Sequence, residues 1–236
     1  MLYTRKCGEI ENTDFGSEQT LCGWLQDTRN LGGIAFLQLR DITGVIQLTL
    51  LKKKLDIEDF KKWTSINRES IVLVRGIIKE NKEAPGGVEM LPDNLEILNE
   101  AETPLPLGVI DKIESEIETR LNARYLDLRK KSIAANFQIR AAVSGAVHKH
   151  LRKEKFLEVQ TPKIIASATE GGTSLFEMKY FDKTAYLAQS PQLYKQMLMS
   201  GGLERVYEIG PAFRAEEHNT PRHLNEFTSI DIEMSF

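Results

Sequence analysis

Hydrophobic and polar positions alternate in five short runs between Thr20 and Leu98: TLCGWLQDT, IAFLQLRD, GVIQLTLL, SIVLVRGIIKE and VEMLPDNLEIL. Alternation with period two marks a strand with one buried face. Turn formers at Asn30 to Gly33 and Asp41 to Gly44 separate the runs, and Ile57 to Asn67 changes to a helical period. Five strands with a helix between the third and fourth predict an OB-fold β-barrel, assigned to residues 1–98. NEAETPLPL (Asn99 to Leu107) carries two prolines and precedes a charged stretch, so 99–121 is read as a hinge. From 122 to 236 the periods mix. A helix is predicted over Ser132 to Lys153, with Ile139, Val143, Val147 and Leu151 on one stripe, followed by a short strand in FLEVQTPKII that Pro162 ends. In AYLAQSPQLYKQMLMSGG, Ser190 can cap a helix, Pro191 fits its first position, and Gly201 with Gly202 stops it. Arg205 to Phe236 alternates again on both sides of a turn at His218 to His223, which predicts a hairpin. The fold class is therefore α+β, in two domains.

Composition narrows this picture more by exclusion than by direction. A chain of 236 residues, 41% of them hydrophobic, can bury two cores. A net charge of -3 does not announce a nucleic-acid binder, so any RNA contact must use local clusters such as Lys52 to Lys54 with Lys61 and Lys62, or Arg124, Arg129, Lys130 and Lys131. Cys7 and Cys22 lack metal spacing, no metal site is read in the chain, and the thiols are expected to be reduced in a cytoplasmic protein. No apolar run approaches the roughly 18 residues of a membrane span, and the polar N-terminus carries no export signal.

The terminal hairpin carries the densest chemistry. Alternation places Glu208, Gly210, Ala212, Arg214 and Glu216 on one strand face and Phe227, Ser229, Asp231 and Glu233 on its partner, with Ile230, Ile232 and Met234 on the reverse. Mixed charges on a strand face are commonly just solvated surface. The stretch FRAEEHNTPRHLNEFTSIDIEMSF, however, resembles motif 2 of class II aminoacyl-tRNA synthetases, and within that class the aspartate enzymes of archaeal type. The helix, strand and Pro162 resemble motif 1, which implies a homodimer with Pro162 at its two-fold interface. GWLQDTRNLGGIAFLQLRDITGVIQLTL resembles the anticodon-binding barrel of the aspartate, asparagine and lysine subgroup.

The resemblance implies ATP-dependent activation of L-aspartate to the adenylate and transfer to tRNA(Asp). Arg214 would bridge the substrate α-carboxylate and the α-phosphate, Phe227 would stack on adenine, Glu216 would accept from its amine, and Arg222 with His223 would hold the outer phosphates. Magnesium would accompany ATP. Glu170, in the loop SATEGGT, and Asp231 would face the substrate ammonium, Gln192 would hold its polar atoms, and Lys195 its side-chain carboxylate. A helix lysine is ordinarily solvated, so Lys195 is the sharpest of these expectations. In the barrel, Phe36 would stack on the middle anticodon base, Gln47 would read it, and Arg29 and Glu89 would add contacts, although spacing alone favours Phe36 as a core aromatic. Gln26 and Pro85 stand where enzymes restricted to tRNA(Asp) carry Trp and Lys, which implies that tRNA(Asn) is accepted too. Motif 3 is missing, so the chain is expected to be an incomplete synthetase without full aminoacylation activity. The alternative from a different class is a non-catalytic tRNA-binding or dimerisation module.

Overall fold

The computed structural model describes residues 2–110, 114–167, 175–217, 220 and 223–236. The chain divides into two units, Met1–Gly108 and Val109–Phe236. In the first, β1 (Glu18–Asn30), β2 (Ile34–Arg40), β3 (Val45–Leu51), β4 (Ile71–Glu80) and β5 (Val88–Asn99) form a closed barrel in the order β1-β2-β3-β5-β4. β3 and β5 close the ring in parallel at Gln47 opposite Glu89; every other pairing is antiparallel. Alternation decides what lies inside. Ala35, Leu37 and Leu39 of β2 are fully buried, while Phe36, Gln38 and Arg40 between them stay half-exposed on the outer face. Phe36 therefore belongs to the outer face and not to the core that its spacing alone suggests.

The helix α1 (Ile57–Thr64) begins at Asp56, whose carboxylate accepts from the N–H of Glu58 at 2.7 Å, and contributes Phe60 and Trp63 to the barrel core. Each such fully buried side chain stabilises the barrel by about 2 kcal/mol. One departure from regular pairing matters later. Between Leu25 opposite Leu39 and Asp27 opposite Gln38, β1 holds an extra residue, Gln26, in a bulge.

The second unit opens with α2 (Ile117–Asn122) and α3 (Arg124–Asp127), then α4 (Lys131–Lys153). Asp127 is fully buried and accepts from Arg120 Nε at 3.0 Å and Nη2 at 3.2 Å, with Arg124 and Lys130 beside it. These cations, Arg120 first, hold its carboxyl below the usual carboxylate range. Two short strands follow, β6 (Leu157–Glu158) and β7 (Ile164–Ile165), then β8 (Glu177–Tyr180), β9 (Lys183–Leu187), α5 (Gln192–Ser200), β10 (Arg205–Phe213) and β11 (Glu226–Met234). They make two three-stranded sheets, β11-β10-β6, in which β6 runs parallel to β10, and β7-β9-β8. Of the stripe predicted on α4, Leu151 is buried and Val147 half-buried, whereas Val143 and Ile139 are exposed. The helix is anchored on β10 and β11 by His148 Nδ1, 2.9 Å from the Tyr207 hydroxyl, and by Arg140, which donates to Thr228 Oγ1 at 2.6 Å.

Candidate functional site

The face of β10 and β11 is set by register. Glu208 lies opposite Asp231, Gly210 opposite Ser229 and Ala212 opposite Phe227, so these six share one side. Sequence alternation extends that face to Arg214 and Glu216, but β10 ends at Phe213. The reason is local: Asn225 accepts from the N–H of Arg214 with its backbone oxygen (3.0 Å) and from the N–H of Glu216 with its side chain (3.1 Å), which turns the chain out of the ladder. Arg214 nonetheless stays at the site, its guanidinium carbon 5.4 Å from the centroid of the Phe227 ring.

Helix α5 supplies the site's buried charge. It starts at Gln192, one position later than the Ser190–Pro191 pattern predicts, with Ser190 Oγ accepting from the Gln192 N–H at 3.3 Å. Gly202, at a φ of 90°, ends it as read from the sequence. Lys195 is only 4% exposed. Its ammonium donates to Asp231 Oδ1 at 3.3 Å and to the backbone oxygen of Ile232 at 3.4 Å, and lies 3.4 Å from Glu233 Oε2. Two of its three N–H donors are thus engaged in hydrogen bonds, with the Glu233 carboxylate beside them as an ion-pair partner. The Ser229 hydroxyl donates to the other oxygen of Asp231. Lys195 and Asp231, which the sequence assigns to opposite ends of a substrate, are here partners of each other. Glu233, left without a role, completes the cluster.

Sequence reasoning missed a second buried group. Glu208, 4% exposed, accepts from the Thr161 hydroxyl (2.7 Å) and N–H (3.2 Å) and pairs with Lys163 Nζ at 2.8 Å. It grips the residues on either side of Pro162, which is itself exposed. A buried acid on a predicted site face was the available signal. Gln192 is half-buried in the first turn of α5, and Glu216 is half-buried beyond β10. His223 is exposed, with Nδ1 2.6 Å from Thr220 Oγ1, and is not drawn into the Lys195 cluster. Glu170 and Arg222 lie outside the described residues.

On the barrel, the four candidates occupy adjoining positions. Arg29 pairs with Phe36, Phe36 with Thr49, and Gln47 with both Gln38 and Glu89. Glu89 Oε2 accepts from Thr49 Oγ1 at 2.5 Å and Asn81 Nδ2 at 2.9 Å, and Gln47 Nε2 donates to Thr49 Oγ1 at 3.2 Å. An aromatic, an arginine and a row of amides on an outer barrel face can stack and hydrogen-bond an unpaired base. Gln38, Thr49 and Asn81 were not singled out from the sequence because their roles depend on cross-strand register. Pro85 is exposed in the turn before β5. Among the described residues, no group of three or more His, Cys, Asp or Glu side chains is arranged to hold a metal, and no helix is long and apolar enough to cross a membrane. Both cysteines are free, and burial, with the Asp41 carboxylate next, pushes the Cys7 thiol well up.

Residues 116–236 match the family tRNA synthetases class II (D, K and N), and residues 19–98 match the OB-fold nucleic acid binding domain. The aspartate–tRNA(Asp/Asn) ligase of Methanopyrus kandleri is 57% identical over 221 residues, covering 94% of this chain and 51% of that protein. The aspartate–tRNA(Asp) ligase of Thermoplasma acidophilum is 52% identical over 227 residues, 96% of this chain and 52% of that protein. Among solved structures, asparaginyl-tRNA synthetase from Pyrococcus horikoshii complexed with asparaginyl-adenylate superposes with a TM-score of 0.92 at 34% identity, over 100% of this chain and 54% of that one. The chain spans about half the length of the curated relatives it matches.

Proposed function

We propose, for a chain that belongs to the class II tRNA synthetases of the D, K and N group, the activity of an aspartate–tRNA ligase, of which these residues form the anticodon-binding and first catalytic parts. The carrying observation is Lys195, a buried cation on the face that also holds Arg214 and Phe227. A buried ammonium selects a ligand carboxylate over an amide or a second ammonium, which favours aspartate over asparagine and lysine. Asp231 and Glu233 hold that ammonium in place beside the face, and Asp231 would also take the substrate ammonium. Arg214, braced against Phe227, neutralises charge where the carboxylate attacks the α-phosphorus of ATP; Phe227 offers its ring to adenine, and Glu216 a carboxylate to its amine. Gln192, Glu170, Arg222 and His223 belong to the proposal as further contacts to aspartate and the outer phosphates.

Magnesium would accompany ATP as the counter-charge of its phosphates. The barrel would receive the anticodon on Phe36, Gln47, Arg29 and Glu89. Gln26 and Pro85, which offer neither a large ring nor a cation, favour acceptance of tRNA(Asn) beside tRNA(Asp). A homodimer through α4 and Pro162 is supported by exposed Ile139 and Val143, which share one face of α4 that a partner would cover. A cytoplasmic setting agrees with two free thiols.

The test is aspartate-dependent ATP–pyrophosphate exchange, comparing this chain with one extended to the length of its relatives, each with Arg214→Ala. Exchange in the extended chain, lowered about 100-fold or more by the substitution, is the expected result. Exchange driven better by asparagine or lysine would overturn the aspartate assignment. RNA binding without exchange in either form would favour the non-catalytic tRNA-binding module instead.

A further inference from the structure

The outer face of the barrel carries a hydrogen-bond relay whose polarity is fixed from below. Glu69, whose side chain is fully buried, accepts from Arg40 Nη2 at 2.7 Å. Arg40, 11% exposed and lying over the Trp24 ring, donates through Nη1 to Gln26 Oε1 at 3.2 Å. A guanidinium can only donate, so the Gln26 amide must turn its oxygen to Arg40 and its nitrogen away. That nitrogen donates to Gln38 Oε1 at 3.5 Å. Gln38 is left with Nε2 as the group no described residue uses. Gln26 is the extra residue of the bulge in β1, and its amide reaches Gln38 on the neighbouring strand.

From the other side a second carboxylate imposes the opposite polarity on Gln47. The Thr49 hydroxyl donates to Glu89, so it must accept from Gln47, which therefore turns Nε2 inward and keeps Oε1 for a ligand. Gln38 and Gln47 are cross-strand partners. A donor and an acceptor thus stand side by side, each held by a different acid.

We propose that Gln38 is a further base-reading residue of this face, donating to the keto oxygen of an unpaired base whose neighbouring N–H faces Gln47, and that Glu69 is a positioning residue that fixes this polarity through Arg40 and Gln26. The inference rests on the reading of the barrel as an anticodon face. Uracil carries such an edge in O4 and N3–H; cytosine puts an amino donor where the keto oxygen was, opposite the Gln38 donor, and its N3 acceptor against the Gln47 oxygen. A reader of this kind rejects by setting donor against donor and acceptor against acceptor where the bound base shuts out water.

The experiment measures binding of this chain to stem-loop RNAs that differ only in uracil or cytosine at the middle of the unpaired triplet. The unmodified chain prefers uracil, and Gln38→Leu weakens the uracil loop about tenfold while sparing the cytosine loop. Glu69→Gln narrows the preference about threefold, and Gln26→Met, which cuts the relay without touching the buried ion pair, does the same should Glu69→Gln fold poorly. Neither narrows it further in the Gln38→Leu background, a result that a merely structural role for Glu69 would not produce. Equal weakening of both loops by Gln38→Leu, no weakening, or a Glu69 effect that persists without Gln38 overturns the proposal. Binding abolished by Phe36→Ala but indifferent to Gln38→Leu overturns it alone; no binding by the unmodified chain overturns the anticodon reading with it.

Discussion

Replacing Lys195 with Met keeps the length and apolar stem of the side chain and removes only its charge. The ammonium is 6% exposed and sits within 3.4 Å of two carboxylates whose own side chains are 20% and 27% exposed. Exposed pairs contribute less than about 1 kcal/mol. Breaking a fully buried pair costs about 3–5 kcal/mol. Partners open to water on one side place this cluster between those limits, near 2 kcal/mol, since Asp231 and Glu233 are left facing each other without their shared cation. For a unit of this size, that is a fall in Tm of about 6 °C. The assay separates the two units by their probes. Both tryptophans, Trp24 and Trp63, lie in the barrel, while the longest helix, α4, is in the second unit. Helical circular dichroism should therefore shift down while the tryptophan transition stays in place. Adding Asp231→Asn and Glu233→Gln should restore most of the loss, because no uncompensated charge then remains. An unchanged helical transition, or the same loss in the neutralised background, would mean that Lys195 contributes packing and not charge, and would remove the physical basis for a carboxylate-selecting pocket.

Other perturbations have equally definite expectations. Asp127→Asn strips the counter-charge from Arg120, Arg124 and Lys130 and should cost about 3 kcal/mol at neutral pH. Because the folded carboxyl is held below its ordinary value, chiefly by Arg120, this stabilisation is complete above the unfolded value near about 4 and fades as pH falls through the lower folded value. Tm measured against pH should show a constant gap between the two proteins down to that range, and a gap already closing near neutrality would contradict it. Gly76→Ala would set a Cβ 2.3 Å from the Leu91 backbone oxygen and 2.7 Å from Pro92 Cα, so the barrel's tryptophan transition should drop sharply or vanish. Gly145→Ala meets nothing within 4 Å on α4 and should raise helical stability by about 0.5–1 kcal/mol.

The barrel was legible in the sequence because its information is local. Period-two runs such as IAFLQLRD place Leu37 and Leu39 inside without reference to any other strand, and turn residues at Asp41 to Gly44 fix the next connection. The bulge at Gln26 was not legible, since an inserted residue is defined only against the strand opposite. In the second unit the caps of α5 could be read from Ser190 and Gly202 to within one residue. β8 and β9 could not: their Lys, Glu and Thr side chains are largely exposed, and the small apolar face formed by Met178, Ala185 and Leu187 is too short to give a period. The site divides in the same way. Lys195 and Asp231 could be picked out one at a time, but their mutual ion pair spans a helix and a strand 36 residues apart, and only packing reveals it. Arg214 was read as a strand residue because alternation continues past Phe213, while the side chain of Asn225 quietly ends the ladder.

The closed ring of the first unit also sets an order of events during synthesis. β5 pairs with β4 on one side and β3 on the other, so the ring cannot shut until Glu89 and Met90 have been made and its β4 ladder is not complete until Asn99, and once shut it leaves no strand edge to wait for a later partner. Domains generally fold as units, the N-terminal one first as the chain emerges. The barrel should therefore be finished while the residues of α5, β10 and β11 are still being added, and a ribosome paused beyond Gly108 would already display a complete, protease-resistant first unit on a nascent chain that has no Lys195 or Arg214.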